Sequence, residues 1–324
     1  MITRRTALIA ASLFALPAAA APPAYSNGGD WTKFIAGVQA EARKLGVRQA
    51  TLDRAFAHIH MNQRVIDLDR RQPEFTLTWA QYRDRIVSAD RIARGREAYA
   101  KHRALMDKVC AHYHVPPGVI LGIWGLESDY GRATGGFNVI EALATLTWEG
   151  RRATFFRSEL MDALKILDAG DIAPDRMIGS YAGAMGQGQF MPDSFLKFAV
   201  SWDGNGKRDL WTNYGDIFAS IANYLAKSGY TDRLTWGLKI RLKPDFDAAG
   251  TGHDSRKPLA EWVRRGVILP SPLAPDISAA VILPDGVTGQ PFLVLHPNHL
   301  AVRRYNPSDF YVLSVGLIGD AVTA

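Results

Sequence analysis

Cysteine is almost missing from this chain: Cys110 stands alone among 324 residues. A single cysteine excludes an intrachain disulfide, so the fold has to be held by its core. Its setting, on a helical-looking stretch before His112 and Tyr113, suits a small buried hydrophobe better than a nucleophile. No cysteine lies near residue 20, which argues against a lipid-anchored amino terminus. Long uncharged runs are missing too. The apolar run 7–16 is too short to span a bilayer, and no later segment is long and uncharged enough. Internal repeats and low-complexity tracts are absent beyond the first residues. No large excess of one charge is present either. The net charge is +6, and removal of Arg4 and Arg5 with a leader leaves +4, because residues 1–20 hold no acidic side chain. So modest a positive charge favours acidic partners without demanding nucleic acid.

What is present begins with a leader. Arg4 and Arg5 precede the apolar run, and Ala18, Ala19 and Ala20 offer a small-residue cleavage site. The arginine pair suits either ordinary or twin-arginine export. The expectation is a signal peptide over 1–20, a disordered lead-in over 21–30 and an exported, soluble, periplasmic protein. Trp31, Phe34, Ile35, Val38, Ala42 and Leu45 then trace one helical face, closed by Gly46. A second helix starts near Thr51, and a long one runs from Trp79 through Tyr99, giving a helical domain over 31–100. Residues 101–235 also read as helical, but denser in glycine and aromatics. Beyond them Leu238, Ile240 and Leu242 alternate with Lys239 and Arg241, as in a strand. A short helix at 260–265 and strands at 279–283 and 291–295 complete a small β-rich region, 236–297. Residues 298–324 are expected to return to the central part.

Glu127 is the most informative residue. Pro117 suits a first helical position and Gly131 a stop, and between them Ile120, Ile123 and Trp124 recur at helical spacing. Glu127 follows them by seven, four and three residues, so its carboxylate falls on the stripe expected to face the core. Burial disfavours the charged form of a carboxyl, and a protonated carboxyl is what protonates a glycosidic oxygen. The plainer alternative is a glutamate at a frayed helix end, in solvent or beside Arg132. Further runs are unusual for mere core. Ser180-Tyr-Ala-Gly-Ala-Met-Gly-Gln-Gly-Gln-Phe-Met-Pro192 packs glycines around Met185, Gln187 and Gln189, which suits close backbone approach or tight helix packing. Gln189 offers both a donor and an acceptor, as sugar hydroxyls and acetamides need.

In order, Gly-Leu-Glu127-Ser-x-Tyr-Gly, Ala-Gly-Ala-Met-Gly-x-x-Gln189-Phe-Met-Pro, Asp-Gly-x-Gly-x-x-x-Leu-Trp211 and Ser-x-Ala-Asn-Tyr224 resemble the membrane-bound lytic transglycosylase B type, glycoside hydrolase family 103. Arg71-Gln-Pro-Glu-Phe75 and Arg304-Tyr-Asn306 resemble that family as well, so the likeness spans about residues 31–312. It implies a mainly α (α+β) fold: a lysozyme-like catalytic core, an added N-terminal helical domain and a small β-rich insertion. It implies cleavage of the β-1,4 bond between N-acetylmuramic acid and N-acetylglucosamine in peptidoglycan, leaving 1,6-anhydro ends. Glu127 falls at the family's catalytic acid/base. Tyr82, Arg151, Arg152, Ser180, Gln189, Tyr224, Asn298 and Tyr305 fall at positions resembling its saccharide groove. The partners implied are peptidoglycan strands, with other cell-wall enzymes as candidates, and neither nucleic acid nor a membrane-inserted state. No cofactor is implied. The family's acidic loop resembles a calcium-binding EF-hand, but Ser201 and Thr212 stand here where an acidic first ligand and a bidentate glutamate belong, so no metal is expected. The residues leave open a hydrolytic muramidase or chitinase on the same core, and a non-catalytic wall-binding scaffold.

Overall fold

A computed structural model describes residues 29–71 and 77–324; the expected leader and most of the 71–75 motif lie outside the described residues. The helices are α1 (Trp31–Lys44), α2 (Gln49–Phe56), α3 (Gln63–Arg70), α4 (Trp79–Ile86), α5 (Ala89–Tyr113), α6 (Pro117–Ser128), α7 (Val139–Glu149), α8 (Ala153–Ala169), α9 (Pro192–Phe198), α10 (Tyr214–Lys227), α11 (Leu259–Arg264), α12 (Asn298–Tyr305) and α13 (Asp309–Thr323). The strands are short: β1 (Phe137–Asn138), β2 (Ile178–Gly179), β3 (Gly237–Lys239), β4 (Arg241–Leu242), β5 (Lys257–Pro258), β6 (Val267–Ile268), β7 (Ser278–Ile282) and β8 (Phe292–Leu295). The chain is mostly helical, as expected. It divides into two compact units, each built from separated segments: the described residues up to 71 with 127–221, and 77–126 with 222–324.

In the first unit the helices are joined by one antiparallel strand pair, in which Phe137 lies opposite Gly179. Asp30 caps α1 by accepting the N–H groups of Thr32 and Lys33. The α2–α8 contact is secured by Asp168, which accepts from Arg48 and Thr51. Helix α3 went unnoticed in the sequence because its charged residues blur the apolar period; Asn62 starts it by capping Arg64 and Val65.

In the second unit, the long helix expected from Trp79 through Tyr99 is broken. Ser88 leaves the helix, caps Arg91 and starts α5 afresh. The four-stranded antiparallel sheet has the order β3-β8-β7-β5. Its central strands are buried on both faces. Ala279, Val281, Leu293 and Leu295 pack with Trp262 on one side, while Ala280, Ile282, Phe292 and Val294 pack with Trp79, Trp236 and Leu313 on the other. The two-residue period of a strand thus sends neighbouring side chains into different cores. Helix α13 packs on α4, α5 and α6. At Gly122 any side chain would collide with the carbonyl of Val315, so glycine alone permits so close an approach to α13. Cys110 is half-buried, and burial pushes its thiol up to about 12, which leaves it unreactive.

Candidate active site

Helix α6 starts at Pro117, as its sequence requires, and runs to Ser128. Nearly all of it is buried, so Ile120, Ile123 and Trp124 do not define one inward stripe. Glu127 closes this helix at 9 % exposure. The chain then turns sharply: Asp129, Tyr130 and Gly131 all adopt positive φ, which costs energy at the first two, non-glycine, residues. Asp129 therefore lies beyond the helix, so a helical phase does not set its direction. Ser128 steadies the turn by accepting from the Gly131 N–H at 3.0 Å.

The segment after Glu127 is locked onto the loop 179–189. Gly135 lies so close to Gly179 and Ser180 that a Cβ would strike their backbone. Gln189 Nε2 donates to the Thr134 carbonyl at 3.2 Å and to the Gly186 carbonyl at 2.7 Å. Gln187 Nε2 donates to the Trp211 carbonyl at 2.9 Å. Gln189 itself holds φ +50°, a strained value for a side-chain-bearing residue and one often found at functional positions. Its Oε1 is buried without a hydrogen-bond partner, an acceptor left open. Ser180 Oγ accepts from the N–H groups of Ala182 and Ala184 at 3.3 and 3.0 Å. With both acceptor positions used, the hydroxyl proton is what Ser180 has left to give.

At the α7–α8 corner, Gly150 turns the chain with φ +98°. The two arginines that follow meet a carboxylate of the protein itself. Asp69, 2 % exposed, accepts from Arg152 Nη2 at 2.5 Å and from Arg151 Nη2. Glu149 accepts the Arg151 N–H and pairs with Arg70, and these bonds outweigh its burial to lower its carboxyl pKa. Arg151 keeps 48 % of its side chain exposed and Arg152 19 %. The pairing of Asp69 with Arg151 and Arg152, and of Glu149 with Arg70, is not legible in the sequence because these partners are 79 or more residues apart along the chain.

The remaining expected groove residues belong to the second unit. Tyr224 donates from its hydroxyl to the Arg304 carbonyl at 2.6 Å, and its ring lies 4.7 Å from that of Tyr305. Tyr82 packs on Trp79 and Phe310 and stays half-buried. Asn298 is fully buried, and its amide is consumed by Thr231 and Leu234 backbone groups. A side chain so engaged anchors the start of α12 and has nothing left for a sugar, which corrects its assignment to the groove.

The acidic loop does not fit calcium of the EF-hand kind. Thr212 Oγ1 donates to Asp209, Asp203 and Asn205 spend oxygens on nearby N–H groups, and Asp216 accepts from Trp202 and Asp209. No cluster of acidic, histidine or cysteine groups among the described residues has a metal-binding arrangement.

Comparison with known proteins gives a consistent result. Residues 30–320 match the transglycosylase SLT domain. The chain is 31% identical over 247 residues to membrane-bound lytic murein transglycosylase B of Escherichia coli strain K12, covering 75% of this chain and 67% of that one. It superposes on SltB3 of Pseudomonas aeruginosa, solved in complex with NAG-NAM-pentapeptide, with a TM-score of 0.89 and 41% identity, over 92% of this chain and 80% of that one. SltB1 of the same organism, a soluble lytic transglycosylase, gives a TM-score of 0.80 at 29% identity, over 90% and 98%.

Proposed function

The chain belongs to the transglycosylase SLT domain family and is a lytic transglycosylase of peptidoglycan, and from that premise we propose that Glu127 performs both of its proton transfers. The observation that carries this reading is a buried carboxylate whose following loop is clasped by Ser180 and Gln189. Glu127 in its acid form protonates the oxygen that links C1 of N-acetylmuramic acid to the departing N-acetylglucosamine. The C1–O bond breaks, and the acetamide carbonyl of the muramic residue stabilises the anomeric carbon. Ser180 donates its hydroxyl proton to that acetamide, and Gln189, bonded to the Thr134 and Gly186 carbonyls, fixes the loop that carries Ser180 against the segment after Glu127. The Glu127 carboxylate then removes the C6 hydroxyl proton as that oxygen bonds to C1. The 1,6-anhydro ring closes, no water is consumed and the acid is restored. A tethered nucleophile needs no second carboxylate, since its entropic cost is met in advance.

Arg151 and Arg152 receive carboxylates of the lactyl or peptide groups, for which a planar guanidinium is suited. Within the second unit, Tyr82 and the Tyr224–Tyr305 pair offer ring faces for saccharide contact. The basic pair, apolar run and small-residue site read in residues 1–20 support export to the periplasm, and no helix among the described residues is long and apolar enough to cross a membrane. Mass spectrometry of muropeptides from digested sacculi tests the chemistry. The expected products carry 1,6-anhydromuramic ends; reducing muramic ends would mean a hydrolase.

A further inference from the structure

Asp69 takes no part in these proton transfers and belongs to none of the recognised motifs. It is nonetheless a buried aspartate that divides its oxygens between two guanidinium groups. Oδ1 serves Arg152 and Oδ2 serves Arg151, whose Nη2 also donates to the Asp69 backbone carbonyl at 2.9 Å. Arg152 is held from another side, with its guanidinium carbon 4.6 Å from the Phe156 ring centroid.

Guanidinium groups on successive residues repel one another, and free in water they would part. A carboxylate set between them offsets that repulsion and leaves the cluster with net positive charge. Each arginine donates to the Asp69 carboxylate through Nη2 alone, so donors remain on both. Arg151 remains about half exposed, and Arg152 keeps a smaller part of its side chain in solvent. A fork fixed along one edge presents its other edge at a set angle to an incoming carboxylate.

We infer that Asp69 is a positioning residue that holds Arg151 and Arg152 in the arrangement that receives the carboxylates of the glycan strand's acidic peptides. The inference rests on the reading of the arginine pair under Proposed function.

Steady-state kinetics on soluble peptide-bearing strands, and on the same strands with their carboxylates amidated, tests it. Asp69→Asn should raise KM for the native strands about tenfold and keep kcat within about twofold, because the loss is one of binding. On amidated strands it should change neither constant. Glu149→Gln, which removes the ion pair with Arg70 but leaves an amide oxygen to accept the Arg151 N–H and both guanidinium bonds to Asp69 in place, should change neither on either substrate. Equal KM effects of Asp69→Asn on both strands, or the same effect from Glu149→Gln, would make Asp69 merely structural and overturn the inference. The Arg151→Ala/Arg152→Ala double variant separates the two levels. If it leaves KM for native strands unchanged, the reading of the arginines falls and Asp69 with it. If it raises KM while Asp69→Asn is silent, only the role of Asp69 falls. Should Asp69→Asn fail to fold, Asp69→Glu carries the test, since it keeps the charge but shifts it by a methylene. It should raise KM for native strands alone, and an unchanged KM would refute the role.

Discussion

Glu159 in one unit and His296 in the other are both buried ionisable groups, and burial drives them in opposite directions. Glu159 lies on α8, where its carboxylate accepts the Asp193 N–H at the start of α9 at 3.0 Å. Burial outweighs that bond and pushes the acid up to about 7. His296 follows β8, with both ring nitrogens buried and unpartnered. Burial, with help from His299, Arg256 and His253, pushes it down to about 4. Close by, Asp309 joins His253, His299 and Arg303 and is held below the usual carboxylate range despite its burial. The same desolvation thus favours a neutral acid and a neutral base, but it makes stability respond to pH with opposite signs. The folded Glu159 binds its proton more tightly than the unfolded chain does. Its contribution is therefore complete below about 4.5 and is lost as pH rises through about 7. The folded His296 resists its proton. Its contribution is complete above about 6.5 and is lost as pH falls toward about 4. Between pH 7 and pH 5 the two slopes largely cancel.

The largest expected effect leaves both slopes alone. Glu127→Gln keeps the shape of a buried side chain and removes the transferable proton, so turnover should fall at least ~10²-fold while melting curves keep their pH dependence. Retention of more than about a tenth of wild-type turnover would remove Glu127 from its role. Wild-type kcat should be bell-shaped in pH, because the first step needs the acid and the second the carboxylate.

Unmasking each slope comes next. Glu159→Gln should expose the histidine term, so that acidification from pH 7 to pH 5 costs about 2 kcal/mol by denaturant titration. His296→Phe, which keeps a planar ring but no base, should expose the carboxyl term and gain about 2 kcal/mol over the same interval. Parallel pH profiles for the two variants would refute the comparison.

The smallest expected effect concerns the 201–212 loop. Calcium at micromolar concentration, or EDTA, should leave melting temperature and activity essentially unchanged, because a loop without its bidentate glutamate binds at best at about 10⁻³ M. A clear rise in melting temperature in micromolar calcium would show that the loop binds the ion after all.

Much of this was legible from residues alone. Pro117 marks the start of α6, and the sequence correctly anticipates α1, α11 and the strands β7 and β8, where local propensity and packing agree. The order of the motifs around Glu127, Ser180 and Gln189 was enough to indicate the family. The break at Ser88 was missed because the apolar period continues across it and the deciding signal is one capping hydroxyl. Strand β3 ends at Lys239 and β4 begins at Arg241, a break that alternation over Leu238, Ile240 and Leu242 cannot reveal.

The sequence by itself determined which chemical groups are available and which local elements carry them, because helix starts, turns and strand periods depend on neighbours along the chain. The tertiary structure decided which groups are desolvated and what they face. Helix α6 is buried on almost every side, so Glu127 owes its burial to the surrounding chain and not to a helical stripe. Asn298 is spent on Thr231 and Leu234, and Asp69 sits between two arginines more than 80 residues away in sequence. Solvent exclusion and electrostatic pairing depend on distance through space, and only the folded chain sets that distance.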